Sequence, residues 1–176
     1  MIGPENVSPV GAYLFECYNA LGEWLWTKVA PNVVTTVGRN FALDTYLSGV
    51  AYTVNGPYIG LIASTGFVGV SITDTMALHP GWVEAGVANN PHVSTGRTIP
   101  VFGAAAGGVK ATSATAPFSI TSGGTVKGGF LVLGPGASGT IDTTGGILYS
   151  AGLFQGGDVV LNNGEFLNVS YSAGLV

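Results

Sequence analysis

Tyr13-Leu-Phe-Glu-Cys-Tyr18, Asn19-Ala-Leu-Gly22 and Glu23-Trp-Leu-Trp-Thr-Lys-Val29 follow one another near the start of the chain, and their reading decides its class. In the first stretch Tyr13, Phe15 and Cys17 alternate with Leu14, Glu16 and Tyr18, the period-two pattern of a strand with one face toward a core. The second stretch is a turn. The third alternates again, with Trp24, Trp26 and Lys28 on one side and Leu25, Thr27 and Val29 on the other. Together they predict a β-hairpin, part of an N-terminal arm and hairpin covering about residues 1–30. Two indoles on a strand so near the N-terminus either fill the core, where aromatic side chains usually go, or anchor a subunit contact, where Trp is enriched.

Downstream of the hairpin the period changes. The run Thr35 to Gly49 predicts one α-helix near residues 36–48, capped by Thr35 or Thr36 and stopped by Gly49. Val37, Phe41 and Leu47, with part of Ala42, Leu43 and Tyr46, form its apolar stripe. Short strand candidates follow at Tyr58–Ile62, Trp82–Ala85, Arg97–Phe102, Pro117–Ile120, Val126–Leu133, Ile147–Phe154, Asp158–Leu161 and Glu165–Tyr171. Between them, Ser71–Gly81 predicts a compact excursion in which Asp74 caps a single helical turn, while Gly103–Gly108 and Leu133–Gly139 read as loops. No fixed-period repeat marks a solenoid or fibre shaft. The pattern predicts an all-β fold, an antiparallel β-sandwich or jelly-roll-like single domain over residues 1–176 carrying that one helix.

Composition narrows the partners. Hydrophobic residues make up 47% and charged residues 8% of the chain, against a charged share of about 25% in typical soluble domains. Such a surface is poorly protected against association, which implies that partner subunits cover much of it. Every apolar run is interrupted short of a membrane helix, and the first residues lack the basic and apolar segments of a signal peptide, so synthesis in a cytoplasm is expected. The net charge is −4, and the five cations Lys28, Arg39, Arg97, Lys110 and Lys127 are dispersed, which disfavours nucleic acid. Cys17, the single cysteine, reads as a small buried hydrophobe.

Motifs for chemistry are missing where their spacing would be diagnostic. No Gly-x-Gly-x-x-Gly joins a predicted strand to a helix, no Gly-Lys-Ser or Gly-Lys-Thr occurs, and His79 and His92 lack a metal-binding spacing. Glu16, Glu84, Asp142 and Glu165 are sparse acids with no pairing visible in one dimension. The expectation is a non-enzymatic chain with no cofactor and no metal. Arg39 and Arg97 stand out in so apolar a sequence, as satisfied ion pairs, carbonyl clamps or fixers of a subunit contact. The candidate interface residues are Tyr13, Phe15, Trp24, Trp26, Arg39 and Arg97.

The order of features carries a resemblance. The hairpin leads into Asn32-Val-Val-Thr-Thr-Val-Gly-Arg-Asn-Phe-Ala-Leu-Asp-Thr-Tyr-Leu47 and Tyr58-Ile-Gly-Leu-Ile62, then Asp74-Thr-Met-Ala77, His79-Pro-Gly-Trp-Val-Glu84 and Gly128-Gly-Phe-Leu-Val132. The chain closes with Gly146-Ile-Leu-Tyr-Ser-Ala-Gly-Leu-Phe154 and Asn163-Gly-Glu-Phe-Leu-Asn-Val-Ser-Tyr171. Over nearly its whole length this resembles small virion structural proteins of tailed bacteriophages, particularly short-tailed ones. The resemblance implies a head decoration or cement protein on the capsid surface, repeated over the lattice and locking neighbouring major capsid protein subunits; dimers or trimers would suit the symmetry axes of such a lattice, and the charge and hydropathy above leave no nucleic-acid or membrane partner expected. It brings no catalytic residue. Poverty in charge and the Gly/Ala-rich residues 103–116 depart from that pattern. Two other readings stay open: a tail fibre, spike or adaptor, and a carbohydrate-binding β-sandwich using Trp24, Trp26 or Trp82.

Overall fold

A computed structural model describes residues 9–47 and 55–175. The expected hairpin is β1 (Pro9–Tyr18) and β2 (Trp24–Val34); residues 1–8 of the expected arm lie outside the described residues. Asn19 shapes its turn, the side-chain oxygen accepting the amides of Leu21 and Glu23 at 2.9 Å each, while Gly22 takes φ 79°. There follow α1 (Thr36–Leu47), β3 (Tyr58–Ala63), β4 (His92–Val93), β5 (Val101–Phe102), β6 (Val109–Ala114), β7 (Ala116–Ser122), β8 (Gly124–Leu133), β9 (Ile147–Leu153), β10 (Val159–Leu161) and β11 (Phe166–Leu175). The chain is all-β with a single helix among the described residues.

The strands form one curled antiparallel sheet. β1 lies between β2 and β11, and the far edge of β11 is shared by β7 and β6. β8 lies between β3 on one side and β9 and β10 on the other. β2 joins the two halves, pairing with β1 as far as Pro31 and with β9 from Asn32 onward. Proline suits this corner because it has no N–H to leave unpaired as the strand changes partner. The crossing is close: a Cβ on Gly152 would sit 2.8 Å from the Pro31 carbonyl oxygen.

The alternation read in β1 is what closes the curl. Tyr13, Phe15 and Cys17 are fully buried, packed with Leu167, Val169 and Phe118 of their own half and with Leu61, Val126 and Leu131 of the other. Each large apolar side chain buried in this way contributes about 1.5–3 kcal/mol. A hydrogen-bonded group spans the halves inside this core: Tyr13 Oη meets Ser150 Oγ at 2.7 Å, and Asn32 Nδ2 donates to Tyr171 Oη at 2.7 Å. A smaller core gathers Ile62, Met76, Trp82, Phe130 and Leu148.

Thr35 caps α1, its hydroxyl accepting the Gly38 amide at 3.0 Å and donating to the Leu148 carbonyl. Gly38 is the one helical residue fully buried, and a Cβ there would lie 2.4 Å from the Tyr149 carbonyl oxygen. The expected apolar stripe is therefore corrected: Leu43, Tyr46 and Leu47 turn outward, because the helix sits on β9 through its glycine side. Ser48 and the expected stop Gly49 lie outside the described residues.

Three other expectations change. Residues 71–81 hold no helical turn; the Asp74 carboxylate instead accepts the Ser71 amide and the Trp82 indole N–H, both at 2.9 Å. Trp82–Ala85 and the first part of Arg97–Phe102 are not strands but single bridges, Glu84 to Ile62 and Thr98 to Ile59, that cover the open edge of β3. β6 lies within the Gly/Ala-rich residues 103–116, where the sequence pattern predicts no strand, since five of its six residues are exposed and no alternation marks it.

Candidate functional site

The only concentration of buried charge among the described residues is built by three loops. Glu84 comes from the excursion after β3, Arg97 from the segment before β5, and Ser138 to Thr143 from the β8–β9 connection. Arg97 is 3% exposed and Glu84 4%. The guanidinium grips the carboxylate at two points, Nε to Oε1 and Nη2 to Oε2, each 2.8 Å. Its remaining hydrogens go to the Ser138 carbonyl, the Thr143 hydroxyl and the Thr143 carbonyl. All five N–H donors of Arg97 are thus engaged, and the Phe130 ring lies 5.4 Å beneath its central carbon.

Glu84 is completed by the Asp142 amide, which donates to Oε2 at 2.8 Å from a backbone at φ 60°. Burial raises the Glu84 carboxyl above the ordinary glutamate range, and the guanidinium and the Asp142 amide oppose that rise. Beside the pair is a cavity of about 170 Å³ lined by Met76, His79, Asn89, Asp142 and Thr144. His79 is itself engaged, stacked 3.9 Å from Trp82 with Nδ1 2.9 Å from the Trp82 carbonyl oxygen. With acid, base and imidazole all bonded within the chain, the centre works as a clasp that binds three loops to the edge of β3. No three His, Cys, Asp or Glu side chains converge to hold a metal ion among the described residues.

The candidate interface residues separate sharply. Tyr13 and Phe15 are corrected to core: at 0% exposure their rings are enclosed by the chain's own two half-sheets and have nothing to offer a neighbour. Arg97 is likewise enclosed by the clasp. Trp26 is half-buried, edge-on to Phe154 at 6.4 Å. Trp24, expected on the same side as Trp26, is 61% exposed on the opposite face, because an irregularity between Trp24 and Trp26 leaves Leu25 as an extra residue in the ladder. Arg39 is half-buried on α1, with no carboxylate partner among the described residues.

What the sequence missed is the outward side of α1. Arg39, Leu43, Tyr46 and Leu47 fall on one helical face at spacings of four, three and one, and the three apolar members are 57%, 78% and 80% exposed. The signal was present in that spacing, but the same residues also fit an inward stripe. No helix among the described residues is long and apolar enough to cross a membrane. Neither a known family nor a curated protein matches the chain.

Proposed function

We propose that this chain is a non-enzymatic virion structural protein, a head decoration or cement protein that binds the major capsid protein lattice as a dimer or trimer. The observation that carries this reading is the exposed apolar side of α1. A helix of 12 residues is marginal by itself in water and draws its stability from packing. Here only Gly38 is fully buried, while Leu43, Tyr46 and Leu47 face outward beside Arg39. A capsid subunit that covers those side chains and presents a carboxylate to Arg39 would complete the helix. The scarcity of charge supports the same reading, since permanent interfaces are more apolar than transient ones, and repetition over a lattice adds many modest contacts into firm attachment.

The test mixes the purified chain with phage heads lacking it and measures co-sedimentation. Tyr46→Asp with Leu47→Asp is expected to abolish attachment, and Arg39→Glu to weaken it, while far-UV circular dichroism stays unchanged. A particle reconstruction is expected to place copies over the whole shell. A few copies confined to the tail would move the chain to a fibre or adaptor, and attachment undisturbed by the helix variants would remove the basis of the proposal.

A further inference from the structure

The outward face of β2, β1 and β11 orders its side chains in rows fixed by the ladder register. Tyr18 pairs with Trp24 on one side and Phe166 on the other; one step along, Glu16 pairs with Thr27 and Asn168. The first row is thus three aromatic rings across three strands, spanning about 10 Å at the usual strand spacing. The second is a hydroxyl, a carboxylate and an amide. A third step brings Val29, Leu14 and Ser170, and there a hollow of about 270 Å³ opens, with Thr112 and Ser172 on its margin.

We propose that this strip, from Trp24 across Glu16 into the hollow, binds a neutral oligosaccharide. Trp24 is 61% and Phe166 42% exposed, and the three rings stack on no other ring among the described residues. Trp24 Nε1 donates to Thr27 Oγ1 at 3.0 Å, which holds the indole against the sheet beside the polar row. A flat, fixed aromatic face is what the C–H side of a sugar ring packs against. The Glu16 and Asn168 side chains are half-buried and make no hydrogen bond with another described residue, so their acceptors and donors are free for sugar hydroxyls.

Charge selects the class of sugar. Glu16 is the only acidic or basic side chain in these rows, and Lys28, next to Thr27, is turned to the Gly157 carbonyl at 3.0 Å. A carboxylate without a cation repels sialylated, sulfated or phosphorylated glycans and accepts hydroxyl donors. A protein covering the same face would have to bury that carboxylate and supply a cation for it. The strip lies on the sheet and uses none of the residues of α1, so this inference does not rest on the capsid reading.

The experiment titrates the purified full chain with hexasaccharides of glucose, mannose and N-acetylglucosamine, and with a sialylated hexasaccharide, by calorimetry and tryptophan fluorescence. At least one neutral saccharide is expected to bind and to change the fluorescence. Trp24→Ala is expected to weaken that binding about tenfold or more and Glu16→Gln several-fold, with an unchanged far-UV spectrum. Tyr46→Asp with Leu47→Asp should leave it intact, which separates failure here from failure of the capsid proposal. Absence of binding to every neutral saccharide, binding that survives Trp24→Ala, preference for the sialylated probe, or a particle in which protein covers Trp24 would each overturn the inference.

Discussion

Replacing Arg97 by Met removes the centre of the loop clasp while keeping most of its volume. Five hydrogen bonds disappear, two of them to Glu84. The carboxylate is then left buried with the Asp142 backbone amide as its remaining hydrogen-bond donor. Breaking a buried pair from one side costs about 3–5 kcal/mol, because the surviving charge is desolvated without compensation. Against a total stability of about 5–15 kcal/mol for a domain, that is a large share. With a urea slope of about 2 kcal/mol per molar, the midpoint should fall by about 1.5–2.5 M.

The loss should also be coupled. Glu84→Gln together with Arg97→Met removes both charges, so the double variant should be more stable than the two single losses added together predict, by about 1 kcal/mol or more. Acidity gives a second check. Burial already raises the Glu84 carboxyl, so between its unfolded and folded values the native state holds more protons and stability falls as pH rises. Without the opposing guanidinium that window widens, and Arg97→Met should regain more stability than the wild type as the pH is lowered toward the ordinary glutamate range. A midpoint shift under about 0.5 M, or strict additivity in the cycle, would refute the clasp as a structural element.

Gly38→Ala sets two effects against each other: alanine favours a helix by about 1 kcal/mol, but its Cβ would lie 2.4 Å from the Tyr149 carbonyl oxygen. The clash with backbone should win and lower the stability measured in urea by about 1–3 kcal/mol, so a stabilised variant would contradict the packing of α1 on β9. Cys17 is pushed up to about 12, mainly by burial and then by Glu165. At pH 8 its reaction with an aromatic disulfide reagent should be slower than in the unfolded chain by about a thousandfold. Its folded value is raised, so its contribution to stability is complete below pH 9 and is lost as the pH climbs toward 12.

Elements with one face in the core could be read from the sequence, and elements without one could not. β1 announces itself because Tyr13, Phe15 and Cys17 must all be inside, and α1 because Thr35 supplies a cap where the period changes. β6 gives no such signal: water meets both of its faces, so nothing selects alternate residues. The exposed Trp24 was hidden for a different reason. Strict alternation puts it beside Trp26, but one extra residue in the ladder reverses the face of everything before it, a consequence of the exact period of two. Glu84 and Arg97 meet through loops that the β3 edge and the β8–β9 connection bring together, a contact that depends on the completed sheet.

The few cations show why the two proposed surfaces differ in kind. Arg97 is enclosed by Glu84, Lys127 is 2.6 Å from Asp158, and Lys28 and Lys110 each donate to a backbone carbonyl at 3.0 Å. Arg39 alone of the five makes no hydrogen bond or ion pair through its side chain among the described residues, and it stands on the helical face that exposes Leu43, Tyr46 and Leu47. On the sheet face the free charge is instead the Glu16 carboxylate, beside rings and an amide. An apolar helix side with one cation is completed by an acidic protein surface. A ring row with one carboxylate is completed by hydroxyl donors. If both proposals hold, opposite charge at two separate places would let one chain hold a shell through α1 while presenting its sheet outward, and the helix and Trp24 variants separate those two roles.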